Sequence, residues 1–319
     1  SAVALSSALT NNAILETAST ATRTKVADIA ITDDALGTNT ITLSGTDAAN
    51  FEVVGNALYL KAGVVLNFEA KSSYNVTVTS TDGSLGKSQV FTVNVTDVNE
   101  APTLTASATN SPFTEGAGAA VSVFSGAAVS TVDAGQLING LSFTVSGLAD
   151  GTNEKLTIDG STIELTAGNN LTSTTNGMSI NVGSVTNGTT TVTLSKVAGI
   201  SAAGAATLIT GIKYQNTNVD NPTAGNRVFT LTQVTDTGSD NNTASFSIGS
   251  TIVVRAVNDA PVITSGTTST VAENAAISTV VYAAQASDVD VGDTRSYSLS
   301  GTDAGLFDIV AATDRKSVV

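Results

Sequence analysis

The 319-residue chain has no cysteine, no histidine and no tryptophan. Without cysteine there is no disulfide staple and no thiolate ligand. Without histidine, His-based triads, the usual proton shuttles and most zinc sites are excluded together. Aromatic residues make up only 4% of the chain, too few for the stacking platforms that sugar sites usually need. Basic residues are scarce as well: 13 Lys plus Arg stand against 27 Asp plus Glu, for a net charge of −14. That balance argues against nucleic acid as a partner, which requires clustered Lys and Arg, and it suits cations. No run of 18 apolar residues occurs, so no segment reads as a transmembrane helix. The start, Ser1-Ala2-Val3-Ala4-Leu5, lacks the basic region and apolar core of a signal peptide, and the chain reads as a fragment of a longer array.

What is present is 41% hydrophobic, mostly Ala, Val, Ile and Leu, set among Thr, Ser, Asn and Gly. This mixture suits β-branched strands joined by turns. Tyr74, Val76 and Val78 alternate with Asn75, Thr77 and Thr79, and Phe91, Val93 and Val95 with Thr92, Asn94 and Thr96. Such period-two segments are half-buried strands, and Asp82-Gly83 between them is a hairpin signal. Leu141–Val145, Thr190–Leu194, Arg227–Val234 and Ser245–Val254 read alike, with turn signals at Asn176-Gly177 and Asn187-Gly188. One Ala-rich segment departs from the pattern. Ser201 is a candidate N-cap, and Leu208, Ile209 and Ile212 form a short apolar helical face.

Three internal repeats divide the chain. Val98-Asn99-Glu100-Ala101-Pro102 recurs as Val257-Asn258-Asp259-Ala260-Pro261, 159 residues on (257 minus 98). Ser44 to Val54 recurs as Ser300 to Val310 at an offset of 256 (300 minus 44). A Glu follows a short semi-apolar pair at Ile14-Leu15-Glu16, Phe113-Thr114-Glu115 and Val271-Ala272-Glu273. Repetition at this scale indicates a linear array of modules, here 1–101, 102–260 and 261–319, the last truncated. Phe51 and Phe307 occupy equivalent places and read as core residues, since their neighbours are apolar.

These residues resemble the cadherin-like modules of large repetitive bacterial surface proteins. Asp97-Val98-Asn99-Glu100-Ala101-Pro102 is similar to the phrase that ends such modules. Leu66-Asn67-Phe68-Glu69 resembles a second family motif, Asp288-Val289-Asp290 a third, and Asp82 and Asp236 a later strand-end Asp. The middle module matches more loosely, with Thr131-Val132-Asp133 in place of Asp-x-Asp and Ala256 where the first linker has Asp97. The resemblance implies an all-β chain of tandem antiparallel β-sandwiches, cadherin-like or Ig-like Greek keys, with calcium at the joints. Calcium takes six to eight oxygens at roughly 2.3–2.6 Å. For the first joint the ligands are placed at Glu16, Glu69, Asp97, Asn99 and Glu100, closed by Asp133 and Asp236. For the second they are placed at Glu115, Asn258 and Asp259, with Asp220, met by Asp288 and Asp290. Asp33, Asp34 and Asp82 would face a preceding module. Two carboxylates about 4 Å apart repel by roughly 1–4 kcal/mol, so such clusters call for a divalent ion. For any single Asp, however, turn chemistry is an equal explanation.

The resulting reading is a non-catalytic, extracellular or cell-surface array in an adhesin. Its partners are calcium and, through the resemblance, neighbouring copies or cell-surface ligands. A passive spacer in a surface layer or fibre, and a carbohydrate-binding sandwich, remain as alternatives. Catalysis finds no constellation: a Ser nucleophile lacks a His base, no Gly-x-Ser-x-Gly elbow occurs and the Gly-rich stretches lack the P-loop lysine.

Overall fold

A computed structural model describes residues 2–33, 38–83, 86–116, 118–290, 292–312 and 315–318, with side chains described as far as Ile309. Among the described residues the chain is all-β apart from one α-helix and short 3-10 turns, as its β-branched, turn-rich composition leads one to expect. It divides into two compact units. One comprises Ser1–Ala101 with Thr131–Gln136 and Gly238–Asn242, the other Pro102–Ser130, Leu137–Thr237 and Thr243–Val319.

The first unit is a two-sheet sandwich. Its strands are β1 (Ala2–Ser7), β2 (Ala13–Leu15), β3 (Thr24–Thr32), β4 (Thr40–Ser44), β5 (Phe51–Val54), β6 (Ala57–Leu60), β7 (Ser73–Thr81) and β8 (Gly86–Thr96). One sheet has the order β1-β3-β6-β5 and the other β2-β8-β7-β4. The alternation read in the sequence is the packing: Val26, Leu58, Leu60 and Phe51 from one sheet meet Tyr74, Val76, Val78, Phe91 and Val93 from the other. Each such side chain, when fully buried, contributes about 1.5–3 kcal/mol. All pairings are antiparallel except β2, which runs parallel to the end of β8, Ala13 beside Asn94 and Leu15 beside Thr96.

The second unit begins with β9 (Thr103–Ala108), β10 (Phe113–Thr114), β11 (Val121–Ser122), β12 (Phe124–Ser130) and β13 (Ile138–Ser146). It continues through β14 (Glu154–Ile158), β15 (Ser161–Glu164), β16 (Asn170–Thr172), β17 (Ser179–Val182), β18 (Thr190–Ile200), α1 (Ala202–Thr210), β19 (Lys213–Asn216), β20 (Gly225–Asp236) and β21 (Thr243–Arg255). A seven-stranded sheet, β10-β21-β20-β13-β18-β17-β16, and a four-stranded sheet, β11-β19-β14-β15, enclose one core. Here too the short strand β10 runs parallel, against the end of β21. The helix forms where its cap and apolar face lie: Ser201 Oγ accepts the Gly204 N–H at 3.1 Å, and Leu208, Ile209 and Ile212 are buried. Asn187-Gly188 makes a tight turn with positive φ at both residues and reciprocal Thr186–Thr189 bonds of 2.9 and 3.0 Å.

The largest buried polar feature is the Arg227 guanidinium, 1% exposed in the core of the second unit. Its Nε donates to Glu154 at 2.5 Å and its Nη2 to Asp150 at 3.2 Å. Tyr214 Oη donates to the same Glu154 at 2.8 Å, and the Ala149 and Asp150 N–H groups satisfy its second oxygen. The charges are paired and hydrogen-bonded, the condition under which burial is tolerated.

The last stretch of this unit carries β22 (Val262–Ile263), β23 (Tyr282–Ala284), β24 (Ala286–Ser287), β25 (Ile309–Ala312) and β26 (Arg315–Val318). The order β23-β26-β25 repeats the β3-β6-β5 arrangement of the first unit. Among the described residues nothing covers that sheet as β7 and β8 cover theirs. This corrects the expectation for Phe307, which is 42% exposed where its counterpart Phe51 is 2% exposed. Local apolar neighbours do not bury a ring; a facing sheet does. Among the described residues no helix is long and apolar enough to cross a membrane.

Candidate metal centre

Short parallel strands precede Glu16 and Glu115 and set their places. The parallel pair ends with Glu16 N–H on Thr96 O at 3.1 Å, which sets the Glu16 side chain beside the linker that follows β8. Its Oε1 accepts the Val98 N–H at 2.7 Å and its Oε2 the Phe68 N–H at 2.8 Å. One carboxylate thus ties the linker phrase to the Leu66–Glu69 segment. Glu115 repeats the device: its N–H reaches Arg255 O at 3.0 Å and its Oε2 accepts the Val257 N–H at 2.7 Å. Glu273, the third such residue, is exposed, and no described strand pairs in parallel beside it.

Around Glu16 the first unit gathers a set of carboxylates. Glu16, Glu69 and Asp97 bring one oxygen each within 4.8 Å of one another, and so do Glu69, Glu100 and Asp133. Asp133 is 5% exposed and takes the Glu100 N–H on Oδ2 at 3.1 Å and Gln136 Nε2 on the same atom at 3.0 Å. A tight three-residue turn aims it there: Asp133 N–H returns to Thr131 O at 2.8 Å across Val132, whose φ is +66°. A β-branched residue in that region is strained, and strain of this kind persists where the surroundings impose it. Asn99 bonds through Oδ1 to Gln136 Nε2 and through Nδ2 to Asp240 O. Two oxygens stand out, Glu100 Oε2 and Asp133 Oδ1. Both are buried and neither has a hydrogen-bond partner, a costly state for a carboxylate oxygen.

The cluster's self-repulsion appears in its acidities. Burial, with the charges of Glu16, Glu69 and Asp133, pushes Glu100 up from 4.5 to about 7. Burial and then the charges of Asp133 and Glu16 raise Asp97. At Glu69 a backbone hydrogen bond pulls the carboxyl down, but desolvation with the charges of Glu16, Asp133 and Asp97 outweighs it and the net shift is upward. These are signs of anions held together without a counter-charge. An all-oxygen donor set with orphaned buried oxygens fits a hard cation of the calcium type.

A second cluster lies in the second unit. Asp288, Asp290 and Asp293 bring oxygens within 4.8 Å of one another. Asp290 Oδ2 accepts the Asp259 N–H at 2.6 Å, as Asp133 accepts that of Glu100, and Asp288 Oδ1 accepts the Asp290 N–H at 3.1 Å. Glu115 Oε1 and Asp259 Oδ2 are buried without partners. Asn258 Nδ2 turns to Asp259 O at 2.8 Å. Asp220 lies in a loop whose Asn221 Nδ2 donates to Val289 O at 3.3 Å.

Asp82 and Asp33 lie at the other end of the first sandwich. Asp82 sits in the turn after β7, at the far end of a nine-residue strand and so roughly 25–30 Å along the sheet from the Glu16 cluster. Asp33 accepts from Asn39 Nδ2 at 2.8 Å, and Asn39 in turn meets Ser80 near that same end. Asp34 lies outside the described residues. Asp236 is fully buried at the end of β20. Sequence reasoning missed Gln136 and Asp293. Asp293 carried a signal in its spacing from Asp288 and Asp290; Gln136 carried none.

No protein-family model matches the chain, and no curated protein matches it either. Among solved structures it is similar to extracellular cadherin repeats. Human CDH23 EC21-23 is 18% identical, with 100% of this chain and 91% of that one covered at a TM-score of 0.48. Mouse Cadherin-23 EC22-24 is 17% identical over 96% and 83%, at 0.45. Protocadherin Gamma B2 extracellular cadherin domains 3-6 is 16% identical over 96% of this chain, which spans 61% of its length, at 0.44. The architecture described above rests on its own strand pairings.

Proposed function

We propose that the chain is a non-catalytic, calcium-binding segment of a large bacterial cell-surface adhesin, built from modules 1–101, 102–260 and 261–319. Calcium binds at the linker phrases and stiffens the joints, so that the array holds an adhesive contact away from the cell or makes it with neighbouring copies. The observation that carries this reading is the pair of buried, unpartnered oxygens on Glu100 and Asp133 within a carboxylate cluster. Glu16, Glu69, Asp97, Glu100 and Asp133 would hold the ion. Bound calcium supplies the positive charge that their mutual repulsion demands, and its binding is linked to the order of the linker.

The test is calorimetric titration of calcium into the chelated protein, with scattering profiles before and after. The expected result is saturable binding, a higher melting temperature and a narrower spread of lengths. Absence of heat and of any change in melting would refute the calcium reading. A bead-aggregation assay with calcium then separates adhesion from a spacer role: aggregation supports contact between copies, and its absence favours a passive stalk.

A further inference from the structure

The turn that carries Asp133 recurs in the chain with its outer acids exchanged. Thr131-Val132-Asp133-Ala134-Gly135-Gln136 corresponds to Asp288-Val289-Asp290-Val291-Gly292-Asp293, 157 residues on (288 minus 131). The glycines match in backbone, with φ +84° at Gly135 and +98° at Gly292. The middle Asp has one duty in both copies. Asp133 Oδ2 accepts the Glu100 N–H at 3.1 Å, and Asp290 Oδ2 the Asp259 N–H at 2.6 Å. The flanking positions differ. Asp288 and Asp293 join the second carboxylate cluster, whereas the first turn has a hydroxyl and an amide there. Thr131 Oγ1 acts locally, donating to Asp133 O at 3.0 Å. Gln136 reaches out to the linker.

The Gln136 amide lies between two oxygens of the first unit. Its Nε2 donates to Asp133 Oδ2 at 3.0 Å and to Asn99 Oδ1. Asn99 is held in place from its other side. Its Nδ2 donates to Asp240 O, and a Cβ on Gly238 would collide with the Asn99 amide. With Asn99 Oδ1 so placed, turning the Gln136 amide over would set Oε1 against Asn99 Oδ1 and Asp133 Oδ2, three acceptors with no hydrogen among them. The observed orientation carries a cost elsewhere: Gln136 Oε1 is buried without a hydrogen-bond partner, an unfavourable state. A group of partial positive charge is thus kept at this point although its own oxygen is orphaned. Asp133 divides its oxygens accordingly. Oδ2 takes the two donors, and the buried, unpartnered Oδ1 is left for the carboxylate cluster.

We infer that the Gln136 NH2 group stands in for a cation between the linker and the turn, latching Asn99 to Asp133 with or without calcium. Asn99 is then a latch residue and not a metal ligand. The first joint binds its ion only on the side of Glu16, Glu69, Asp97 and Glu100, one ion fewer than the same turn would hold with an acid in place of Gln136. The latch stands on the hydrogen bonds alone; the ion count rests on the calcium reading above.

The test uses the whole 319-residue protein with Gln136→Ala and Gln136→Glu. In chelator, Gln136→Ala should speed amide exchange at Glu100, whose N–H lies on Asp133, by about tenfold or more, the scale of a lost hydrogen bond to a charged group. In calcium, ions per chain are counted by native mass spectrometry. Gln136→Ala should bind as many as wild type, since the two oxygens it frees are too few for calcium. Gln136→Glu should bind one more, and in chelator it should melt below wild type. Unchanged exchange in Gln136→Ala overturns the latch. Loss of an ion in Gln136→Ala would make Gln136 a ligand and overturns the inference, as does a Gln136→Glu count equal to that of a calcium-binding wild type. If wild type binds no calcium, the calcium reading fails by itself, and exchange in chelator alone decides the latch.

Discussion

Replacing Glu100 with Gln tests the electrostatic logic of the first cluster. Glu100 titrates at about 7 in the ion-free fold against an ordinary 4.5. An acid raised in the folded state binds its proton more tightly there than in the unfolded chain. Its contribution is therefore fully favourable below about 4.5 and is lost as pH rises through about 7. The difference corresponds to about 3.4 kcal/mol at most, from about 1.36 × 2.5. Glu100 is partly exposed, and solvent screening reduces this to about 1–2 kcal/mol. For a unit of this size that is roughly 5–15 °C in melting temperature. In chelator, the wild-type protein should melt higher at about pH 5 than at about pH 7.5. Glu100→Gln should lose most of that slope and melt above wild type at the higher pH. In saturating calcium both orders reverse: the ion selects the ionised carboxylate, wild type gains stability with pH, and the variant falls below it. The assay is a set of thermal melts at two pH values, with chelator and with calcium. Superimposable melts of wild type and variant in chelator at both pH values would refute the reasoning.

Three further outcomes follow from the packing. Phe51→Ala should cost about 3–5 kcal/mol in urea unfolding, because the ring is buried in the core of the first sandwich. Arg227→Met should cost about 3–5 kcal/mol by the same measurement, since it leaves Glu154 and Asp150 charged and buried without their partner. Calcium titration should resolve two classes of site, the weaker one abolished by Asp290→Asn together with Asp293→Asn, because Ala256 replaces the carboxylate that Asp97 gives the first linker.

The strands of both units were legible because burial on one face imposes period two, and Tyr74, Val76 and Val78 show it without interruption. The helix at Ala202–Thr210 was legible through Ser201 and its apolar face. The parallel pairing of β2 and β10 was not, since two or three residues carry no periodicity; only the recurrence of the following Glu hinted at a common duty. The linker carboxylates could be read from their repetition. The turn that aims Asp133 could not, because a positive φ at Val132 contradicts what a β-branched residue prefers and is imposed from outside the segment. Phe307 shows the opposite failure. Its sequence neighbourhood matches that of Phe51, and burial depended on a facing strand that no local pattern encodes.

The parallel strands have a mechanical consequence. In an antiparallel hairpin pulled from its open end, hydrogen bonds break one at a time, each under the full load. Ala13–Leu15 and Asn94–Thr96 run side by side in the same direction, one near the start of the module and the other near its end. Tension that draws those two segments apart slides them along their common axis, and every bond between them shares the load at once. The Glu16 bonds to Val98 and Phe68 lie beside this clamp and must yield with it. Rupture there is a shearing rather than an unzipping, and β10 against β21 gives the second unit the same parallel pairing.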